Sequence, residues 1–292
     1  MQNVLTTFFK LIRIKQWLKN IFIFAPLVFS HRLLNIDDFI KTTVIFFAFS
    51  LVCVLVYIIN DIHDKKQDIM HPRKKLRPIA SGAISTAAAL TLGIISFVAG
   101  ITLAFLTGKY MTIVALLIYT VLNLLYTFLL KQFIILDVFI IAAGFCIRVI
   151  TGAIAIDVTT SQWIIATTFA VSLVLGFGKR RHELLSLKHE AIEHREILGE
   201  YTPQLLNIMI CISASITAVS YMFYTMESGI SELFYTFPLV LYALFRYLYL
   251  VYDKNKGGKP EEDLINDKGI IIAVVLWGLM IIGILYFSAG GR

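Results

Sequence analysis

Nine apolar runs, each close to the length of a bilayer crossing, constrain this chain more than any other feature. A helix needs about 20 apolar residues to cross ~30 Å of hydrocarbon. Runs near that length occupy residues 20–36, 39–59, 84–106, 110–130, 134–156, 162–178, 205–225, 233–252 and 270–288. Hydrophobic residues fill 58% of the 292 positions and charged residues 15%, which excludes an ordinary soluble domain. The first run follows Lys10, Arg13, Lys15 and Lys19 as a secretory leader would, but no small-residue cleavage site comes after it. It therefore reads as a retained helix. The expected fold is all-α: a polytopic membrane protein of about nine transmembrane helices, forming a single integral membrane domain over residues 1–292.

Orientation follows from the basic residues, because Lys and Arg collect in cytoplasmic loops. With the N-terminus inside, the N-terminal tail and the even-numbered connections hold twenty of the 26 Lys and Arg residues. Arg32, Lys41, Lys109 and Arg292 fall on the opposite side, and Arg148 and Arg246 lie within spans. This predicts a multi-pass protein of the cell (inner or plasma) membrane with a cytoplasmic N-terminus and an external C-terminus. The net charge of +7 is then a consequence of topology and of attraction to anionic headgroups, so the bilayer is the implied partner and nucleic acid is not. Cys53, Cys146 and Cys211 sit in apolar runs without metal-ligand spacing and read as small buried hydrophobes. The longest polar connection, about 179–204, is too short for a soluble domain and suits amphipathic surface helices.

The densest charge lies at residues 58–82, where Asn60, Asp61, Asp64 and Asp68 end the second run and a basic stretch including Lys74, Lys75 and Arg77 follows. At about 100° per residue, spacings of three and four place the three aspartates on one side of a continuing helix. Clustered carboxylates repel one another unless a cation joins them. Oxygen donors of this kind suit Mg²⁺, which binds through carboxylates together with substrate phosphates. The basic stretch can then contact phosphate oxygens that a metal does not reach. A solvated acidic helix end is the plainer alternative. His63 and His71 flank the cluster without a repeated ligand pattern and are not read as metal ligands, and Asp253, Glu261, Glu262, Asp263 and Asp267 read as a solvated connection.

Arg148 lies in the fifth run, eleven residues after Asp137. That spacing is ~16 Å along a helix, with about 20° of angular offset. An arginine at that depth costs at least ~2.5 kcal/mol and should face the bundle interior or a watery cavity. Structural pairing and a role in ordering a polar site both remain open for it. Asp137 falls nearer the cytoplasmic mouth, as do Tyr126 and Lys131 across the end of the fourth run.

The stretch Asn60-Asp61-Ile62-His63-Asp64-Lys65-Lys66-Gln67-Asp68 resembles the first aspartate-rich motif of the UbiA superfamily of intramembrane prenyltransferases. A closer resemblance is to the superfamily's decaprenyl-phosphate phosphoribosyltransferase branch. It is carried by "RIKQWLKN" at 13–20, "HPRKKLRPIASG" at 71–82, "YTFLLKQFIILD" at 126–137 and "GKRRHEL" at 178–184. From about residue 205 onward the similarity is mostly of hydropathy.

The resemblance implies a UbiA-like bundle with cytoplasmic active-site loops near 60–82 and 178–204. It implies Mg²⁺ held by Asn60, Asp61, Asp64 and Asp68, with the three aspartates catalytic. Substrate contacts are expected from Lys19, Asn20, Lys74, Lys75, Arg77, Tyr126, Lys131, Asp137, Arg148, Lys179 and Arg180. The implied reaction moves a 5-phosphoribosyl group from phosphoribosyl diphosphate to a polyprenyl phosphate, for cell-envelope polysaccharide precursor synthesis. A prenyltransferase acting on an aromatic acceptor is the alternative, but a second acidic motif is expected there, and residues 178–183 read Gly-Lys-Arg-Arg-His-Glu. The non-enzyme alternative is a transporter of phospholipid or polyprenyl phosphate. A homo-oligomer is compatible with all three.

Overall fold

A computed structural model describes residues 4–70, 74–187, 196–258 and 260–288. His71, Pro72 and Arg73 of the basic stretch, residues 188–195 of the longest polar connection, Lys259 and Arg292 lie outside the described residues. The described chain is helical. Its long helices are α1 (Ile36–His63), α2 (Thr86–Leu106), α3 (Tyr110–Phe128), α4 (Leu136–Ala155), α5 (Gln162–Leu187), α6 (Pro203–Glu227), α7 (Phe237–Tyr252) and α8 (Lys268–Gly283). Eight helical segments, one at each of these positions, are long and apolar enough to cross a membrane. The protein is a polytopic membrane protein, as its apolar runs predict.

The first apolar run is built differently. Ile14–Phe24 forms a 3-10 helix and Ala25–Phe29 a short α-helix, so this run is not among the eight span-length helices. Arg13 enters it in a left-handed conformation (φ 51°), and Pro26 stands in the first turn of the short helix, where its missing N–H costs least. Lys15, Lys19 and Asn20 interrupt the hydrophobicity of the 3-10 segment.

The chain divides into two compact units, Met1–Lys131 with Ile147–Thr159, and Gln132–Cys146 with Thr160–Arg292. In the first, α1 packs along α2 and α3. Asn35 caps α1 by accepting from the N–H groups of Asp37 (3.0 Å) and Asp38 (3.2 Å), which satisfies donors the helix itself cannot. The backbones of α1 and α2 approach closely at Gly100, where an added Cβ would lie 2.7 Å from the Ala48 carbonyl oxygen. Ile23, Ile45, Phe49, Val52 and Leu116 form a core behind them, and Leu11, Val54, Ile58 and Ile79 form a smaller one nearer the acidic end of α1.

In the second unit α5 pairs with α6 and α7 with α8. Their core includes Val138, Val174, Phe177, Leu206, Ile210 and Val251. The outward faces are apolar, with Ile94, Ile95, Val98 and Phe105 on α2 and Ile272, Val275 and Leu279 on α8 exposed. Lipid tails are the solvent that such faces match.

Candidate active site

The acidic cluster forms where α1 ends. Asp64 closes the helix (φ −86°, ψ 3°), its N–H donating to the Asn60 carbonyl at 2.9 Å, and a short helix, Lys65–Met70, follows at once. The Asp68 N–H donates to the Asp64 carbonyl at 2.8 Å, so the winding continues almost unbroken. This keeps the three aspartates on one side, as their spacing predicts.

Each carboxylate is held by a cation. Arg77 Nη1 donates to Asp61 Oδ1 at 2.9 Å and to Asp68 Oδ2 at 2.7 Å, Arg13 pairs with the same Asp61 oxygen, and Lys131 pairs with Asp64 Oδ1. Asn60 donates from Nδ2 to Asp64 Oδ2 at 3.1 Å and accepts at Oδ1 from the Thr127 hydroxyl at 3.4 Å. Asp61 and Asp68 are buried, whereas Arg13, Arg77 and Lys131 keep a fifth to a quarter of their side-chain surface exposed. Asp61 and Asp68 are therefore fixed while their basic partners have room to turn away, and the Asp64–Lys131 pair is partly exposed on both sides. Lys74 and Lys75 form an exposed 3-10 turn just before Arg77, and Lys19 and Tyr126 are half-buried.

Among the described residues, no group of three or more His, Cys, Asp or Glu side chains is disposed to hold a metal ion. The donors nevertheless have the right chemistry for a hard divalent cation. Two carboxylate oxygens, one from Asp61 and one from Asp68, already converge on a single positive centre, the Arg77 Nη1 atom. Asp64 and Asn60 supply further oxygens beside them, and Lys131 must release Asp64 first.

Arg148 lies deep in the same unit, 4% exposed. Its Nε donates to Asn20 Oδ1 at 2.7 Å and its Nη2 to the Tyr119 hydroxyl at 3.0 Å. Its guanidinium lies 4.9 Å from the Phe49 ring centre and 4.8 Å from that of Tyr119. Asn20 is also buried, its Nδ2 donating to Ser50 Oγ at 2.8 Å. The two residues are thus brought together with each other in the core of this unit.

In the second unit, residues 178–187 are not a loop, because α5 continues through them. Arg180 is buried, with Nε donating to Asp137 Oδ2 at 2.7 Å and Nη1 to Glu183 Oε2 at 2.6 Å. The Tyr201 hydroxyl donates to the other Asp137 oxygen at 3.0 Å and accepts the Ile135 N–H at 2.7 Å. Burial, reinforced by the Asp137 carboxylate, holds that phenol above its ordinary pKa. Arg181 donates to Asn207 Oδ1 and to the Val251 carbonyl, both at 2.8 Å, and covers the Tyr252 ring. Lys179 is exposed. Sequence reasoning placed Arg13 and Arg181 within basic motifs without naming either as a site residue, and it did not single out Thr127 or Tyr201. Their partners are tens of residues away, and no local spacing signals such contacts.

The pattern of the UbiA prenyltransferase family matches residues 21–262. The chain belongs to that family. Within it, the chain is 30% identical to the decaprenyl-phosphate phosphoribosyltransferase of Mycolicibacterium smegmatis, over 98% of this chain and 95% of that protein. It is 28% identical to the enzyme of the same name from Corynebacterium glutamicum, over 98% of this chain and 88% of that one. A UbiA homologue from Archaeoglobus fulgidus, solved with DMAPP and Mg²⁺, shares the fold with a TM-score of 0.73 at 15% identity, covering 95% of this chain and 99% of its own. The chain is accordingly a UbiA-family intramembrane transferase, and the transporter reading is set aside.

Proposed function

We propose that the protein transfers a 5-phosphoribosyl group from phosphoribosyl diphosphate to a polyprenyl phosphate such as decaprenyl phosphate, releasing diphosphate, in the synthesis of a cell-envelope polysaccharide precursor. The observation that carries this reading is the pairing of each acid of the first motif with a partly exposed cation: Asp61 with Arg13 and Arg77, Asp68 with Arg77, and Asp64 with Lys131. A metal diphosphate can replace these pairs partner for partner, with the carboxylates taking the metal and the freed guanidinium and ammonium groups taking phosphate oxygens. The ribosyl donor is supported by the names of the relatives and by base in place of acid at Lys179 and Arg180.

Asn60, Asp61, Asp64 and Asp68 would hold Mg²⁺, which when bound neutralises the leaving diphosphate. The lipid phosphate is already anionic at neutral pH, so its attack on ribose C1 needs no dedicated base. The chain's contribution is positioning and electrostatics. Arg77, Lys131, Lys74, Lys75 and Lys19 would bind phosphate oxygens with Tyr126 as a further substrate contact in the first unit, and Lys179 would be a substrate contact in the second. Asn20, Arg148, Asp137 and Arg180 serve the substrate by holding their neighbours in place. The charge distribution supports a cytoplasmic N-terminus and site in the cell membrane, with the C-terminus external.

The fold shared with a homologue solved with DMAPP favours one other reading, prenyl transfer to an aromatic acceptor. Purified protein with radiolabelled phosphoribosyl diphosphate and a polyprenyl monophosphate, with and without Mg²⁺, separates the two. The expected result is metal-dependent label in the organic phase, abolished in Asp64→Asn. No transfer across several lipid lengths, while a prenyl diphosphate and an aromatic acid do react, would overturn the proposal.

A further inference from the structure

Ile14–Phe24 runs for 11 residues as a 3-10 helix, a form that seldom persists beyond three or four. The 3-10 form rises about 2.0 Å per residue against about 1.5 Å for the α-helix, and turns about 120° per residue against about 100°. Over the seven steps from Arg13 to Asn20, relaxation to an α-helix would shift the Arg13 end by ~3.5 Å and rotate it by ~140°. Such a change would take Arg13 off Asp61. Something must therefore hold the segment in its extended winding.

The tethers are visible at its far end. Asn20 is gripped at both ends of its amide, Nδ2 on Ser50 Oγ at 2.8 Å and Oδ1 on Arg148 Nε at 2.7 Å. Three residues on, the Ile23 carbonyl lies so close to α4 at Gly152 that a Cβ there would stand 2.0 Å from its oxygen. Arg148 is itself clamped, between the Phe49 and Tyr119 rings and by the Tyr119 hydroxyl, so its Nε has one fixed direction. A guanidinium can be held on its face and donate from its edge at once, which an ammonium cannot reproduce. At the near end Arg13 covers the Tyr57 ring at 5.0 Å and pairs with Asp61.

We propose that Arg148 is a positioning residue for the diphosphate-binding site. Through Asn20 it sets the register of the 3-10 segment, and that register keeps Arg13 within reach of Asp61 and of the phosphate oxygens that displace it. The inference rests on reading the acidic cluster as the metal diphosphate site. It gives a role to a charge whose burial within a membrane span is costly.

A double-mutant cycle tests it on the full-length chain in detergent, using Mn²⁺ with inorganic diphosphate as the probe and electron paramagnetic resonance to measure bound Mn²⁺. Arg13→Gln and Asn20→Ala are each expected to weaken binding about ten-fold, the scale of one charge-assisted hydrogen bond. Because Asn20 acts through Arg13, the double variant should bind no more weakly than Arg13→Gln alone. A purely structural role would make the two losses multiply, to about a hundred-fold, and would overturn the inference while leaving the site reading intact. A wild-type chain that binds no Mn²⁺ with diphosphate would sink the site reading and this inference together. Arg148→Lys is run in the same cycle against Arg13→Gln, with the same outcomes deciding, and it carries the test alone if Asn20→Ala does not fold.

Discussion

Arg180 donates from Nε to Asp137 Oδ2 at 2.7 Å, and the two side chains retain only 4% and 0% of their surface exposed. A pair this deep is costly to break one-sidedly, because the survivor keeps its charge without a partner, at about 3–5 kcal/mol. Asp137→Ala should therefore lower the thermal unfolding midpoint by several degrees, as followed by circular dichroism in detergent. Lys179→Ala, one residue away on the exposed side of α5, should leave that midpoint unchanged while weakening substrate affinity. Equal midpoints for the two variants would show that the Arg180 contact does not hold this end of the unit.

Asp64 and Lys131 form the most exposed of the acid–base pairs at the end of α1. Asp64→Asn keeps the shape of the side chain and its hydrogen bond with Asn60 while removing the charge. Metal-dependent transfer should fall by about a hundred-fold or more, with little change in unfolding temperature. Retained transfer with a lowered unfolding temperature would make the aspartate structural.

Gly152 has no room for a side chain, since the Ile23 carbonyl oxygen would lie 2.0 Å from its Cβ. Gly152→Ala must push the 3-10 segment off α4, at about 1–3 kcal/mol. Proteolysis is expected to cut near residues 14–24 faster in this variant than in Gly100→Ala, whose clash falls between α1 and α2. Equal cutting in both would show that the segment tolerates displacement.

Asp267 caps α8, accepting the Ile270 N–H at 3.0 Å, and binds Arg246 through both carboxylate oxygens. The Arg246 hydrogen bonds hold its carboxyl below the ordinary carboxylate range. With the folded pKa depressed, its stabilising contribution is present at neutral pH and is lost as the pH falls past the unfolded value of about 3.9 and through the folded one. The unfolding temperature of the wild type should thus drop more steeply than that of Asp267→Asn between pH 5 and about pH 2.5. Parallel curves would remove Asp267 from the acid response.

The hydropathy of the chain located most of the helices closely: run 84–106 is α2 (Thr86–Leu106), run 134–156 is α4 (Leu136–Ala155), and run 205–225 is α6 (Pro203–Glu227). Periodic spacing also put Asp61 and Asp68 on one side, where they share Arg77. Two segments depart from what their hydropathy alone indicates, for related reasons. Run 162–178 stopped short because hydropathy marks where lipid ends, whereas α5 extends to Leu187 on contacts that Arg180 and Arg181 make with Asp137, Asn207 and Val251. Run 20–36 has the apolar content of a span, whereas the winding of its first part answers to Asn20, Arg148 and Gly152.

What the sequence by itself determined was an all-helical chain in a bilayer and an acidic cluster at the end of α1, because both rest on interactions between residues a few positions apart. Only the tertiary structure decided which cation faces which carboxylate, and that Arg148 holds Asn20 in place. Arg13 and Asp61 are 48 residues apart, and Asn20 and Arg148 are 128 apart. No local pattern records such pairings, because the energy that makes them appears only once the helices have packed.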